Sequence, residues 1–251
     1  MTKGEEGNIG MRIKIIEPGV YADRASMERL NNAYEADHDP DTELSWVALD
    51  RGIESPEQHF WESLQMTFLT QEIERTDQAY FDGVVIFCAA DPGVSAAKEC
   101  LRIPVVGIME TSVALANFLG RRFTWLSPLS RGNGFMLDKI RSTGLADRLA
   151  SIRSIEVPFT DMENDSALLD KTIAEGRKAI NADNADTLII GCTGMVGLAS
   201  EAQEALGIPV IDAGVVGIRM CEALVKMNLA QSKRAYPAPR EDMRRFVDVT
   251  V

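Results

Sequence analysis

Few of the residues that build most metal and nucleophile sites occur in this sequence. Histidine is limited to His38 and His59, which lie in unrelated contexts in a chain of 251 residues. A histidine-based metal site or a Cys-His-Asp triad therefore has little material to work with. The four cysteines are Cys88, Cys100, Cys192 and Cys221. Because they are widely spaced and form no Cys-x-x-Cys pair, we expect reduced thiols without zinc, a disulfide framework or a redox motif.

Long apolar runs and clustered positive charge are also absent. No apolar run approaches the ~20 residues that a membrane-spanning helix needs, so we expect no membrane partner. Lys and Arg number 26 against 38 Asp and Glu, which gives a formal net charge of −12. Nucleic acid is held mainly by clustered Lys and Arg, so we expect no nucleic-acid partner. Residues 1–10 lack an apolar signal core, and we expect a flexible tail and a cytoplasmic address.

Short apolar runs alternate with segments of helical periodicity along most of the chain, which is typical of an α/β fold with parallel strands. The predicted strands span residues 11–16, 44–49, 83–87, 105–108, 123–126, 154–157, 187–190 and 210–211. Helices are predicted at 25–35, 131–142, 166–182, 197–205 and 215–227. Ser55, Pro56 and Gln58 form a capping pattern before a further helix that runs to about residue 79. Gly144 and Gly207 are placed to end their helices.

The chain contains the same unit twice. With a single-residue gap, GVVIFCAADPGVSAAKECLRIPVVGIMETSVALANFL aligns with DTLIIGCTGMVGLASEAQEALGIPVIDAGVVGIRMCEAL, and Cys88 aligns with Cys192. In both copies an apolar strand ends at the cysteine, two small residues follow, and then come a helix and an Ile-Pro-Val strand. The repeat predicts two lobes related by a pseudo-twofold axis. Because ligands bind beyond the carboxyl ends of parallel strands, both thiols are expected at the ligand site.

Cys88 and Cys192 each lie between a predicted strand and a predicted helix, and this position predicts a reactive thiol. Backbone N–H groups and the positive end of a helix dipole lower a cysteine pKa from about 8.5 to ~3.5–7.5. Small neighbours, Ala89 and Ala90 after Cys88 and Thr193 and Gly194 after Cys192, allow a ligand to reach those N–H groups.

Two matched thiols suit the inversion of a carbon acid, which needs a proton removed from one side and returned to the other. Cys88 and Cys192 are therefore the candidate acid/base pair. The alternative is that buried cysteines only fill apolar space, which is our interpretation of Cys100 and Cys221, since both lie within predicted helices.

The two cysteine segments and two later segments resemble those of a known family. IFCAADPGVSAAKE and IIGCTGM resemble the two cysteine segments of the aspartate/glutamate/hydantoin racemase superfamily, especially its hydantoin and allantoin racemase branch. IPVIDAGVVGIRMCEALV and SKRAYPAP resemble the final helix and tail of that branch. The resemblance extends over most of residues 11–239.

The resemblance implies two flavodoxin-like lobes, an active site between them, catalysis without metal or cofactor, and a homo-oligomer. We expect residues 11–117 with 212–251 to form lobe 1, which carries Cys88, and residues 118–211 to form lobe 2, which carries Cys192. The implied main-chain shell of the two catalytic cysteines consists of Gly191, Ala89, Thr193 and Gly194.

Further ligands are implied by two other stretches. LSPLSR resembles a substrate-contacting turn, which nominates Ser127 and Ser130; helix capping by Ser130 is the alternative. The branch usually carries Asn-Pro-Asn after its first strand, whereas this chain has Glu17-Pro18-Gly19. A carboxylate there would repel a substrate carboxylate and accept N–H donors, unless the turn is purely structural.

We therefore predict a racemase or epimerase that acts on a small carbon acid, with a 5-substituted hydantoin or an allantoin-like ureide as the first candidate. The glutamate racemase branch is a poorer match, because its second cysteine is followed by Thr-His and this chain has Thr193-Gly194. Alternatives are a cysteine-dependent cis-trans isomerase like maleate isomerase, and a decarboxylase of the same superfamily, although the decarboxylases keep only one cysteine. A non-enzymatic small-molecule binding protein with two α/β lobes is the remaining alternative.

Overall fold

The computed structural model describes residues 10–21, 24–55, 57–164, 166–240 and 242. Its strands are β1 (Met11–Glu17), β2 (Thr42–Ala48), β3 (Gly83–Ile86), β4 (Val105–Gly107), β5 (Phe123–Ser127), β6 (Leu149–Ser154), β7 (Thr187–Ile190) and β8 (Val210–Asp212). Its helices are α1 (Arg24–Ala33), α2 (His59–Glu74), α3 (Val94–Cys100), α4 (Ile108–Leu119), α5 (Asn133–Ser142), α6 (Leu168–Asp183), α7 (Ala199–Leu206) and α8 (Ala213–Lys226). In this part of the chain, no helix is both long enough and apolar enough to cross a bilayer.

The strands form two parallel sheets of four, in the orders β2-β1-β3-β4 and β6-β5-β7-β8. The second sheet repeats the strand order of the first, with β5 to β8 in place of β1 to β4. Strands β3 and β7 therefore occupy equivalent places beside the central strands β1 and β5. All strand pairs in both sheets are parallel. The predicted α/β class with two similar parallel sheets is confirmed.

Side chains of each sheet alternate between two cores, because successive residues of a strand point to opposite faces. In β3, Val84 and Ile86 pack in an outer core with α2 and α3, whereas Val85 joins a central core. In β7, Ile190 packs in a second outer core and Ile189 joins the same central core. Helices α4 and α8 pack against each other within this central core.

The two sheets span residues 11–107 and 123–212, and α8 packs against β1, β3 and β4 of the first sheet. Because the central core includes residues of both sheets, packing alone draws no sharp line between two lobes. The assignment of residues 11–117 with 212–251 to one lobe and 118–211 to the other stays a prediction, as does the flexible tail at 1–10, of which residues 1–9 lie outside the described residues.

Two predicted elements were wrong in position. The sixth strand is β6 at Leu149–Ser154, which pairs with β5, and not residues 154–157. The later apolar residues Ile155 and Val157 are buried, but they lie in an extended loop whose N–H groups bond to the carbonyls of Ser127 and Pro128. Burial of that loop over the second outer core produced the misleading apolar run.

The capping pattern at Ser55 does not begin a helix. Helix α2 begins at His59, its N-cap is Gln58 without a side-chain cap bond, and Pro56 lies outside the described residues. The helix ends at Glu74 and not near residue 79, because a turn follows in which Asp77 accepts the backbone N–H of Ala79. Helix α4, which begins directly after β4, was missing from the predicted helices. Gly144 and Gly207 adopt positive φ, 75° and 69°, at the ends of α5 and α7 as predicted; Gly144 is the second residue after α5 and Gly207 the first after α7.

Helix α4 is capped by a side chain from the segment that follows Cys88. The backbone N–H groups of Met109 and Glu110 donate to the two oxygens of Asp91 at 2.9 and 2.7 Å. Burial, with a smaller contribution from the charge of Glu110, raises the pKa of Asp91 to about 7. The cap therefore ties the loop after Cys88 to the start of a central helix.

Replacement of Asp91 by Ala should lower the free energy of unfolding by about 1–2 kcal/mol, because the two N–H groups lose their acceptors. Asp91→Asn is the matched control. It keeps one acceptor oxygen and resembles the uncharged acid that burial favours, so it should cost less than Asp91→Ala. Urea denaturation of both variants at pH 7.5 measures the difference, and equal losses would contradict the cap.

Candidate active site

Cys88 and Cys192 lie on the wall of the same cavity, at the carboxyl ends of the two sheets. Cys88 follows β3 by two residues, and Cys192 follows β7 by two residues. The cavity has a volume of about 860 Å³ including its open mouth, within the size range of small-molecule sites. Both cysteines are partly buried, so their sulfurs are reached through the cavity.

Each sulfur has backbone N–H groups close by. The backbone N–H of Ala90 donates a hydrogen bond to the Cys88 sulfur, and the backbone N–H groups of Gly194 and Met195 donate to the Cys192 sulfur. The Cys192 thiol also contacts the sulfur of Met162 at 3.9 Å. Main-chain donors therefore lie beside both thiols, but of the implied shell of Ala89, Gly191, Thr193 and Gly194 only Gly194 donates to a sulfur.

The predicted low pKa of these thiols was wrong. Burial raises the pKa of Cys88 to about 12 and that of Cys192 to about 12, and the loss of solvation outweighs the backbone N–H groups that favour the thiolate. The helix dipoles give little help, because α3 begins only at Val94 and α7 only at Ala199. At neutral pH both groups are predominantly thiols.

A second pair of equivalent residues lies at the carboxyl ends of the central strands β1 and β5. Glu17 ends β1 and Ser127 ends β5, each one residue beyond the register pairs Ile16–Ile86 and Leu126–Ile190. Each is only 2% exposed, and each lines the cavity. Oε2 of Glu17 and Oγ of Ser127 have no hydrogen-bond partner among the residues that the structure describes. Two buried polar atoms thus lie at matching places with unfilled hydrogen-bonding capacity.

The charge of Glu17 is controlled by its surroundings. Burial raises its pKa to about 7, against a hydrogen bond from Tyr21 that acts in the opposite direction. Tyr21 lines the cavity too, and its own pKa is raised well above the usual range by burial and by the neighbouring carboxylate. Glu17 therefore changes protonation state near neutral pH.

The other sequence-predicted site residues divide into two groups. Five of them line the cavity: Pro18, Ala89, Ala90, Gly191 and Thr193. Two do not. Ser130 is exposed at the start of a short 3-10 helix, and Gly194 is packed against Phe159 and Met162 behind the Cys192 loop.

Several lining residues were not found from the sequence. They come from the loop before α2, from α5, from the turn after β1 and from the segment after β6, and they are Glu54, Ser55, Glu57, Tyr21, Phe135, Met136 and Phe159. The internal repeat carries no signal for these segments, because they lie outside its two copies. Only the packing of loops over the strand ends brings them to the cavity.

Tyr34 links α1 to the loop after Cys192. Its hydroxyl donates to the carbonyl of Thr193 at 3.2 Å and lies 3.4 Å from Oδ1 of Asp212. Asp212 in turn caps α8 through the N–H groups of Gly214 and Val215. The ring of Tyr34 lies so close to Gly214 that a Cβ there would be 2.7 Å from it. These contacts hold the second cysteine loop against the first half of the chain.

The comparisons with known proteins agree with this geometry. The family model for Asp/Glu/Hydantoin racemase matches residues 13–221. A hydantoin racemase of Pseudomonas sp. (strain NS671) is 33% identical over 233 residues, which cover 92% of this chain and 93% of the relative.

Two solved structures are similar over nearly the same length. An allantoin racemase from Pseudomonas fluorescens has a TM-score of 0.85 at 29% identity and covers 92% of this chain and 97% of its own. An allantoin racemase from Klebsiella pneumoniae has a TM-score of 0.84 at 30% identity and covers 92% of this chain and 95% of its own. The likeness therefore extends over nearly the whole fold, including residues of both sheets.

Gly191 is required by close approach of the Trp125 indole, since a Cβ at Gly191 would lie 2.2 Å from two indole atoms. Trp125 is fully buried, so Gly191→Ala should cost about 1–3 kcal/mol of unfolding free energy through overpacking. Gly134→Ala in α5 is the matched control, because a Cβ there meets nothing within 4 Å. It should be neutral or stabilising by up to about 1 kcal/mol. Similar melting temperatures for both variants would contradict the close approach.

The raised pKa values predict slow alkylation of both cavity thiols. The thiolate is the reactive form, and its fraction rises about tenfold per pH unit below the pKa. With iodoacetamide at pH 8, Cys88 and Cys192 should react at least about 100-fold more slowly in the folded chain than in urea, where the pKa is about 8.5. Peptide mass spectrometry from pH 7 to pH 10 should show rates that keep rising. A plateau above pH 7 would indicate low-pKa thiolates instead.

Proposed function

The chain belongs to the Asp/Glu/hydantoin racemase family and is a racemase-like enzyme, and we propose that it inverts a small carbon acid by proton transfer between Cys88 and Cys192. The observation that carries this proposal is the placement of both thiols on one cavity wall, at equivalent strand ends. The charge of an ionised Cys192 raises the pKa of Cys88, so the two sulfurs are within electrostatic reach of each other.

The proposed reaction needs one thiolate and one thiol. The thiolate removes the proton from the stereogenic carbon, and the opposite thiol returns a proton to the other side. The first sulfur ends as a thiol and the second as a thiolate, so atoms and charge balance and the reverse reaction uses the same groups. The N–H groups of Ala90, Gly194 and Met195 support the negative charge on whichever sulfur carries it.

Burial of the thiols suits both roles. A thiol whose pKa is raised is a stronger base once it is ionised, which helps it to remove a weakly acidic C–H proton. The same burial keeps the opposite sulfur protonated and ready to donate. The cost is that only a small fraction of the enzyme carries the required thiolate at neutral pH, so kcat/KM should rise with pH between 7 and 9.

As substrate we propose a 5-substituted hydantoin or an allantoin-like ureide. The support is the naming of the similar proteins, which are a hydantoin racemase and two allantoin racemases. Both compounds are cyclic ureides with a stereogenic carbon between a ring nitrogen and a ring carbonyl, and that carbonyl makes the C–H acidic. A cavity whose exposed wall is mostly apolar, and whose polar side chains within the described residues include no Lys, Arg or His, suits an uncharged ring of this size.

Deuterium exchange followed by NMR tests this proposal. Wild-type protein in D₂O should exchange the C5 proton of both enantiomers of a 5-substituted hydantoin and racemise them. Cys88→Ser and Cys192→Ser should each lower racemisation by about 10³-fold or more. Each variant should still exchange one enantiomer, a different one in each case, because one thiol base remains.

Cys100→Ser is the control for this experiment, since Cys100 ends α3 and does not line the cavity, and it should behave as the wild type. Loss of exchange for both enantiomers in each cavity variant would contradict a two-base mechanism. Activity on an alkene, with hydantoin enantiomers left untouched, would indicate the cis-trans isomerase instead.

A further inference from the structure

We propose that Glu17 is a specificity-determining residue whose free oxygen accepts the ring N–H next to the stereogenic carbon, so that the site selects cyclic ureides over rings without that donor. This inference rests on the proposed function, because it names the substrate class of the same site. Among the described residues, Glu17 is the buried carboxylate of the cavity wall that has an oxygen without a partner.

Glu17 is held firmly at one oxygen and is open at the other. The amide of Asn31, in the orientation that satisfies both its nitrogen and its oxygen, donates to Oε1 at 2.8 Å. The Tyr21 hydroxyl donates to the same carboxyl group. Oε2 is buried, belongs to a residue of the cavity wall and has no partner within the described part of the chain. A buried acceptor without a partner is costly, and a ligand N–H would relieve that cost.

The turn that follows Glu17 is held by a buried glutamine. Gln65 of α2 is fully buried, and its amide nitrogen donates to the carbonyl of Pro18 at 2.9 Å. Its amide oxygen accepts the N–H of Ile53 at 2.9 Å. The turn after β1 is therefore tied to both α2 and the loop before it, which leaves the Glu17 side chain little freedom to withdraw from the cavity.

The equivalent residue of the second sheet has different chemistry. Ser127 ends β5 where Glu17 ends β1, and its hydroxyl can donate as well as accept. Because β1 lies beside β3 and β5 lies beside β7, Glu17 is next to the Cys88 strand and Ser127 is next to the Cys192 strand. A carbon between the two sulfurs would thus have an acceptor on one side and a donor on the other.

A cyclic ureide matches that arrangement. Its stereogenic carbon is bonded to a ring N–H on one side and to a ring carbonyl on the other. The N–H would donate to Glu17 Oε2, and the carbonyl, which gains negative charge when the carbon loses its proton, would accept from Ser127. A ring with CH₂ in place of that N–H would leave Oε2 without a partner.

The charges of the wall support an uncharged substrate. Within the described residues, the cavity is lined by the carboxylates Glu17, Glu54 and Glu57 and by no Lys, Arg or His. Glu57 is paired with Arg131, which does not line the cavity. A substrate carboxylate beside Glu17 would meet a like charge without a counter-ion, whereas a neutral ring with an N–H donor would not.

Two non-reactive rings of the same shape test the inference by binding alone. 5,5-Dimethylhydantoin carries the N–H next to the quaternary carbon, and 2,2-dimethylsuccinimide carries CH₂ there; neither has a proton that the enzyme can remove from that carbon. By calorimetry at pH 8, wild-type protein should bind the hydantoin about 30-fold or more tightly than the succinimide.

A graded set of variants assigns the preference to Glu17. Glu17→Gln keeps an acceptor without charge and should reduce the preference to about fivefold, because charge-assisted hydrogen bonds are about twice as strong as neutral ones. Glu17→Leu removes the acceptor and should reduce the preference to less than about threefold. Glu204→Gln removes a charge from an exposed residue of α7 that does not line the cavity, and it should keep the preference of the wild type within about twofold.

The outcomes separate this inference from the proposed reaction. Equal binding of the two rings by wild-type protein, or failure to bind either at millimolar concentration, would overturn the role of Glu17. A preference in Glu17→Gln as large as that of the wild type, a clear preference that survives in Glu17→Leu, or its loss in Glu204→Gln would overturn it as well. If Glu17→Leu fails to fold by circular dichroism, Glu17→Gln decides. A normal preference between the rings without C5 deuterium exchange on hydantoins would overturn the racemase proposal alone.

Discussion

Burial of ionisable groups at the ends of parallel strands governs the chemistry of this protein. Carboxyl ends of parallel strands meet at one edge of a sheet, and here two such edges close around one cavity. Loss of solvation raises the pKa values of Cys88 and Cys192 to about 12 and that of Glu17 to about 7. Both thiols are therefore predominantly protonated at neutral pH, which suits proton transfer to and from a weak carbon acid, whereas Glu17 changes protonation state there and as a carboxylate can accept a ligand N–H.

The two halves of the chain carry the same residue at the places proposed for proton transfer and different residues at the places proposed for substrate recognition. The two thiols occupy equivalent places with equivalent N–H donors. The central strands, in contrast, end in Glu17 on one side and Ser127 on the other. A racemase must treat the two sides of one carbon alike, yet its substrate ring has two different neighbours at that carbon. The pairing of matched thiols with unmatched polar groups fits both needs.

Strands β3, β7 and β6 and helix α2 show why some sequence predictions were correct and others were wrong. The runs at β3 and β7 were predicted within one residue because continuous apolar runs are typical of strands that are covered on both faces. β6 was misplaced because the apolar run at Ile155 and Val157 belongs to a loop that is buried by tertiary packing. The start of α2 was missed because the capping residues at Ser55 belong to a loop over the cavity, where Ser55 itself lines the wall.

The sequence by itself determined the α/β class, the duplication and the equivalence of Cys88 and Cys192, because these follow from local periodicity and from repeated residues. Tertiary structure alone decided that the segments containing Glu54, Phe135 and Phe159 meet at the cavity. It also decided the high pKa of the thiols, since a pKa depends on how much solvent the surrounding atoms exclude. Solvent exclusion is a sum over residues that are distant in sequence, and no local pattern around a cysteine records it.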